Sequence, residues 1–307
     1  MKVLMIASGN KKGTVIPIVQ AQIDSLIKQG INVVAYPIIG CGLLGYLKNL
    51  FPLFRFIKKQ NPDVVHAHYS LCGYMAVLTT KKPMVVSIMG SFPTNSSKRK
   101  LVKWYIRNCW DATIVKSERT ARQLNEKELH IIPNGVNFEI FKSRSKEEVR
   151  KTCGFLDSKK YVIFVSDPNR LAKNYKLAEA AVKLLNDESI ALVPVYNMSH
   201  EKVAQYMVAS DVVIMTSIQE GSPNVIKEAM ACNCPIVSTD VGVIKWVVDG
   251  VEGCYVANTF EAEEVSELLK KALEFKKETK GREHLLKIGL DSETVANKLI
   301  EIYEYVS

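Results

Sequence analysis

Long hydrophobic runs are missing from this chain of 307 residues. The uncharged, largely apolar stretch 31–47 is cut by Pro37, Gly40, Gly42 and Gly45. It falls short of the ~20 residues that a membrane-spanning helix needs. A signal-peptide layout is also absent, because MKVLMIASGN runs directly into a strand and a glycine turn. No second cysteine pair at zinc-finger spacing accompanies the C-x-C of Cys232 and Cys234, so no metal site is expected. The cysteines number seven, an odd count in mostly apolar contexts, and read as free thiols of a reducing cytosol. The expected location is therefore cytoplasmic. No G-x-G-x-x-G follows the first strand, which speaks against a nicotinamide cofactor. Internal repeats, low-complexity segments and nucleic-acid-binding motifs are lacking too, so no nucleic-acid partner is expected.

What is present is ordinary globular composition, 47% hydrophobic and 24% charged, over a length that suits two domains. The charge is unevenly spread. Residues 1–150 hold 23 Lys+Arg against 9 Asp+Glu, a net of +14, and residues 151–307 hold 18 against 23, a net of −5. Such asymmetry suggests that the first half meets an anionic surface. Two segments concentrate the basic residues. In 43–59, Tyr46, Phe51, Phe54 and Phe56 alternate with Lys48, Arg55, Lys58 and Lys59, and Pro52 predicts a kink or a second short helix. In 98–107, Lys98, Arg99, Lys100 and Lys103 precede Trp104, Tyr105 and Arg107. Basic-aromatic helices suit an anionic membrane surface, at ~1 kcal/mol per cation. They equally suit solvated faces of core helices.

The chain opens as βαβ: a strand at 2–7, a turn holding Gly9 and Gly13, a helix at 14–29 and a strand at 31–35. Further apolar strands are predicted at 62–68, 83–88, 111–115 and 129–132, with Ser117 capping a helix after the third. The strand at 62–68 ends in His66 and His68, and such strand ends line ligand crevices in open parallel sheets. In the second half, helices are predicted at 146–153, 175–185, 199–210, 261–275 and 292–305, and strands at 161–165 and 190–195. Arg170 and Lys173 lie on the loop after the strand at 161–165, where two cations can clamp a pyrophosphate.

The chain is organised around 211–257, which reads as strand, turn, helix, strand, turn, helix, strand. Val212 to Met215 is a buried-strand run, broken by Glu220-Gly221-Ser222-Pro223, and Asn224 is placed to cap the next helix. Small residues at a helix start let backbone N–H groups meet an anion such as phosphate. Glu228 follows Glu220 by eight residues, about two turns of helix at ~3.6 residues per turn. A diphosphate flanked by hydroxyl-bearing sugars, as in a nucleotide-sugar, fits that layout. A plain turn with solvated carboxylates fits it as well.

The order of parts resembles the donor-binding signature of family 4 retaining glycosyltransferases: Glu220, Gly221, Pro223, Glu228, the PIVST strand 235–239 and the turn Asp240 to Gly242. The strings PDVVHAH at 62–68 and PNGVN at 133–137 with Phe141 resemble family elements too. The resemblance implies an α/β fold of two Rossmann-like domains with parallel sheets facing a cleft, the GT-B fold. The expected domains are 1–141 with 291–307 on the acceptor side and 142–290 on the donor side. It implies transfer of a sugar from a nucleoside-diphosphate sugar to an acceptor hydroxyl with retention, needing no metal or cofactor. The acceptor expected is a saccharide, lipid-linked at the inner face of the plasma membrane. Donor phosphates are assigned to Arg170, Lys173, Gly9, Gly13 and the turn Gly221, Ser222, Pro223, Asn224 and Val225. Glu228 is assigned to the ribose, and the loop Tyr196, Asn197 and Met198 to the base. Glu220 and His68 are the catalytic candidates. Many family members carry His-Gly where this chain has Met89-Gly90, and Met89 lacks a comparable hydrogen bond. That departure keeps a catalytically silent binding subunit open. A sugar-nucleotide epimerase of the same fold is the other alternative.

Overall fold

In the computed structural model, residues 1–9, 13–40, 42–89 and 96–307 are described. The expected turn residues Asn10 to Lys12, Cys41, Gly90 and Ser91 lie outside them. Short apolar strands alternate with helices, and the chain divides into Met1–Gly135 with Ser292–Ser307, and Val136–Asp291.

The first unit runs β1 (Lys2–Ser8), α1 (Pro17–Lys28), β2 (Asn32–Ile38), α2 (Gly42–Leu47), α3 (Leu50–Gln60), β3 (Val64–His68), α4 (Ser70–Val77), β4 (Met84–Ile88), α5 (Ser96–Asn108), β5 (Ala112–Val115), α6 (Glu118–Leu124) and β6 (Leu129–Ile131). All pairs are parallel, in the order β2-β1-β3-β4-β5-β6. Strand alternation splits the core into two layers. Leu4, Ile6, Val65 and Val86 face α3, α4 and α5, while Val3, Met5, Val64 and Val85 face the opposite side. Burial on both faces explains why these strands read as unbroken apolar runs. Pro52 sits in the first turn of α3, where its missing N–H costs no helical bond. Ser117 Oγ accepts the Thr120 N–H at 3.2 Å and caps α6 as expected.

The second unit runs α7 (Lys146–Cys153), β7 (Lys160–Phe164), a 3-10 turn (Leu171–Lys173), α8 (Tyr175–Leu184), β8 (Ile190–Pro194), α9 (His200–Ala209), β9 (Val212–Met215), α10 (Asn224–Ala231), β10 (Ile236–Thr239), α11 (Ile244–Val247), β11 (Cys254–Ala257), α12 (Ala262–Glu274) and α13 (Gly281–Lys287). Its parallel sheet has the order β11-β10-β9-β7-β8. Both sheets are the Rossmann-like parallel type expected. The final helix α14 (Ser292–Val306) packs on α1 in the first unit.

The segment 136–141, expected with the first domain, belongs to the second unit. Val136 and Phe141 are buried in its core, and Arg282 donates to the carbonyls of Phe138 at 3.1 Å and Phe141 at 2.8 Å. Helix α13 went unread in the sequence because it is short. Its buried Gly281 packs against Met230 of α10, where an added Cβ would meet backbone at 2.8 Å.

Candidate functional site

In the second sheet, β8 lies outside β7 and the chain returns to place β9 on β7's other edge. The strand order therefore reverses between β7 and β9. Loops leaving the carboxyl ends of such neighbours diverge and open the crevice in which α/β proteins hold ligands. The loop after β7 carries Arg170 and Lys173, and the loop after β9 carries Glu220 to Pro223.

Three side chains the sequence did not single out stitch these loops together. Thr216 Oγ1 donates to the carbonyls of Asn174 at 2.8 Å and Lys173 at 3.3 Å. Thr239 Oγ1 donates to the Ser217 carbonyl at 2.7 Å. Ser217 Oγ donates to Glu220 Oε1 at 3.0 Å. Small hydroxyl residues at strand ends were their only sequence signal. Lys173 Nζ then donates to Glu220 Oε1 at 2.5 Å. Both side chains are mostly covered, 17% and 19% exposed, so the pair is formed in a partly desolvated setting. Arg170 is exposed, and the 3-10 turn separates it from Lys173. The structure brings Lys173, not Arg170, together with Glu220.

Gly242, at φ +65°, explains the turn Asp240 to Gly242. A Cβ there would lie 2.4 Å from the Gly221 carbonyl oxygen and 2.9 Å from that of Glu220. Only glycine lets the turn after β10 press against the Glu220-Gly221 backbone.

Helix α10 begins at this turn. Pro223, in extended conformation, is its N-cap, and Asn224 is its first residue. The expected cap by Asn224 is therefore not formed. Its buried Oδ1 has no hydrogen-bond partner instead. An orphaned buried acceptor is costly and fits a site that a hydroxyl or N–H of a ligand completes. Lys227, fully buried, donates from Nζ to Ser222 Oγ at 3.2 Å and steadies the turn from beneath. Glu228, the next residue, lies one helical turn beyond Asn224. The residue keeps some exposed surface, but its carboxyl sits deep among protein atoms, and burial pushes it up to about 7 against the pull of Lys227. Tyr196, Asn197 and Met198 are exposed on the loop after β8.

The remaining candidates lie in the first unit. Gly9 donates to the Ile38 carbonyl at 2.8 Å, and a Cβ on it would meet Pro37 Cβ at 2.7 Å. Local packing already explains that glycine. Gly13 takes φ +77°. His68 is fully buried, stacked on His66 with centroids 4.4 Å apart. Its Nε2 faces Met5 Sδ at 3.3 Å and its Nδ1 faces Met89 Sδ at 3.4 Å. Burial, then the charge of Lys116, lowers it to about 3, so it is neutral, with both nitrogens turned to thioethers. That setting suits a packed core histidine better than a proton carrier. His66 is equally enclosed, bonded to Tyr303 Oη at 2.6 Å and Ser87 Oγ at 2.9 Å. Among the described residues no group of three or more His, Cys, Asp or Glu stands ready for a metal ion.

Residues 15–140 match the model of Glycosyltransferase Family 4, and residues 159–274 match that of Glycosyl transferases group 1. The putative teichuronic acid biosynthesis glycosyltransferase TuaC of Bacillus subtilis is 26% identical over 59% of this chain and 54% of its own length. The UDP-Gal:alpha-D-GlcNAc-diphosphoundecaprenol alpha-1,3-galactosyltransferase of Escherichia coli is 23% identical over 71% of this chain and 66% of its own. The chain thus spans about half to two thirds of these relatives. Among solved structures, sucrose-phosphate synthase from Thermosynechococcus elongatus superimposes with a TM-score of 0.80 at 16% identity, covering 99% of this chain and 98% of that one. Anabaena HepE, in complex with UDP and glucose, gives 0.77 at 16% identity, covering 99% and 100%. At that identity the likeness concerns the fold, which is GT-B. The chain thus carries two glycosyltransferase domains, a family 4 domain in residues 15–140 and a group 1 domain in residues 159–274.

Proposed function

We propose that this chain transfers a sugar from a nucleoside-diphosphate sugar to a hydroxyl of a lipid-linked saccharide, with retention, in the making of a surface polysaccharide. The observation that carries the donor assignment is the Lys173–Glu220 pair at the β7/β9 reversal, beside the unpartnered Asn224 Oδ1. Lys173 and the N–H groups opening α10 take the diphosphate and hold its charge as the leaving group departs. Glu220, with one oxygen already on Lys173 and Ser217, takes hydroxyls of the transferred sugar. Glu228 accepts from the ribose.

A lipid-linked acceptor is supported by the diphosphoundecaprenol-linked acceptor in the name of the Escherichia coli relative and by the first unit's surface. From Val64 to Trp110 the chain has no Asp or Glu. Helices α3 and α5 lie on one face of the sheet. They expose Phe51, Phe54, Leu101 and Trp104, and the Arg55 guanidinium stacks 4.3 Å over Phe51. Apolar rings among cations fit an anionic leaflet, with Glu126 already opposing Lys103 and Arg107 of α5.

A panel of nucleotide-sugars, read by thermal shift and then by product NMR, tests the proposal. A stabilising donor whose anomeric configuration survives into product is the expected result. Conversion of the donor without any acceptor points to the epimerase. Met89 against His68 leaves the silent subunit as the second reading, and failure of every donor to hydrolyse or transfer selects it.

A further inference from the structure

Lys227 is fully buried on α10, a helix whose Ile226, Ala229 and Met230 are equally enclosed. A cation held among apolar neighbours is costly unless its ammonium is hydrogen-bonded and its charge is used. Its Nζ donates to Ser222 Oγ at 3.2 Å, reaching five residues back into the turn that opens the helix. The positive charge is also felt at Glu228, where it works against the effect of burial.

The turn itself gives that contact a use. Pro223, the N-cap of α10, has no N–H, so a donor is missing where the turn becomes helix. Ser222 stands directly before it and is partly exposed. A hydroxyl carries one O–H and two lone pairs. By accepting from Lys227, Ser222 Oγ uses a lone pair on the inward side and leaves its O–H free. Among the described residues nothing accepts that O–H. An O–H whose oxygen already accepts from an ammonium is a stronger donor than a free one. Arg170, the second cation expected for the diphosphate, is exposed and does not join Lys173 at Glu220. Lys173 stands on the β7 side of the crevice, and Lys227 lies beneath the turn on its β9 side.

We infer that Lys227 is the second cation of the donor diphosphate and acts through Ser222: the buried ammonium holds the Ser222 oxygen and aims its O–H out of the turn at a phosphoryl oxygen. This rests on the donor reading of the crevice and adds to it a positioning residue. Ser222 touches the substrate, whereas Lys227 stays enclosed and supplies charge and orientation from below. The hydroxyl replaces the N–H that Pro223 lacks.

Isothermal titration calorimetry with inorganic pyrophosphate tests this on the intact chain. Wild type is expected to bind it, and Lys173→Ala to weaken binding at least about tenfold. Ser222→Ala and Lys227→Met should each weaken it about tenfold, and the double variant no more than either alone, because the ammonium works through the hydroxyl. Ser222→Thr, which keeps a hydroxyl, should bind as wild type. Melting temperatures separate this role from a structural one. Lys227→Met should melt at or above wild type, since it removes an enclosed charge, while its affinity falls. Ser222→Ala strands the ammonium and should melt lower, and adding Lys227→Met should restore the loss. If Lys227→Met does not fold, Ser222→Ala against Ser222→Thr decides. With Lys173→Ala weakened, wild-type affinity in Ser222→Ala or in Lys227→Met, multiplied losses in the double variant, or no rescue by threonine overturns the inference alone. Wild-type affinity in Lys173→Ala, or no binding by wild type, overturns the donor reading instead.

Discussion

Lys173 Nζ and Glu220 Oε1 meet at 2.5 Å although 47 residues of chain separate them. In the free protein each neutralises the other. On the proposed function, a donor phosphate would compete with Glu220 for Lys173 and free the carboxylate for the sugar. Lys173→Ala should lower kcat by ~10²–10³-fold, the size seen when one donor to a developing anion is lost. Stability should fall by only ~1 kcal/mol, because the pair keeps some solvent. Combining Lys173→Ala with Glu220→Ala should cost less than the two losses together, since each mutation already breaks the same pair. A double-mutant cycle in kcat measures it; simple additivity would mean the two act apart.

Asn224 should show opposite effects on folding and binding. Its Oδ1 is buried without a partner, so Asn224→Ala removes an unmet acceptor and should leave stability unchanged or slightly raised. Donor affinity should fall by ~10-fold, or ~1.4 kcal/mol. Urea unfolding and donor titration on the same variant decide it. A large stability loss would show that the amide serves the free fold instead.

Glu228 gives a pH signature. Its carboxyl titrates near 7, above its ordinary 4.5, so the folded state holds the extra proton between those values. Stability from this group is then greatest at the acid end and falls as pH rises through that window, by up to ~3 kcal/mol. Donor binding runs the other way. On the proposed ribose role the ionised carboxylate is the acceptor, so the Kd should rise about tenfold per pH unit below about 7. Glu228→Gln should abolish both slopes, read by urea unfolding and donor titration from pH 5 to pH 8.

Gly242→Ala should act on the donor turn from a neighbouring strand. The added Cβ would meet the Gly221 carbonyl and would also hold φ +65°. A loss of ~2–4 kcal/mol in stability is expected, with a raised KM for donor. Ala at Gly250, which has nothing within 4 Å but a similar φ of +70°, supplies the strain-only control. Equal effects at both positions would mean that the contact with Gly221 does not matter.

The surface of α3 and α5 should bind vesicles of anionic lipid at low salt and release them at high salt. Phe51→Ala with Trp104→Ala should weaken binding without shifting the melting temperature, because both side chains are largely exposed. Sedimentation with vesicles reports it; binding unaffected by salt or by these changes would remove the membrane from the proposal.

Much of this was legible in the sequence. The apolar runs at Val212 to Met215 and Val64 to His68 became buried parallel strands, because a strand covered on both faces needs no alternation. The eight-residue spacing from Glu220 to Glu228 did bridge turn and helix. Local rules failed where partners lie far along the chain. Asn224 looked like a cap, but Pro223 took that place. His68 looked like a strand-end ligand, yet sulfur from Met5 and Met89 closes around it. Thr216 and Thr239 carried no motif, and their role exists only because β10 and β9 are neighbours.

The order of residues determined the two parallel sheets and the glycine-bearing turns, because period, punctuation and hydrophobicity are local properties. It did not determine which cation would face which acid. Arg170 and Lys173 are three residues apart and chemically alike, yet only Lys173 meets Glu220. Charge pairing and desolvation depend on distances across strands that the chain reaches only by folding.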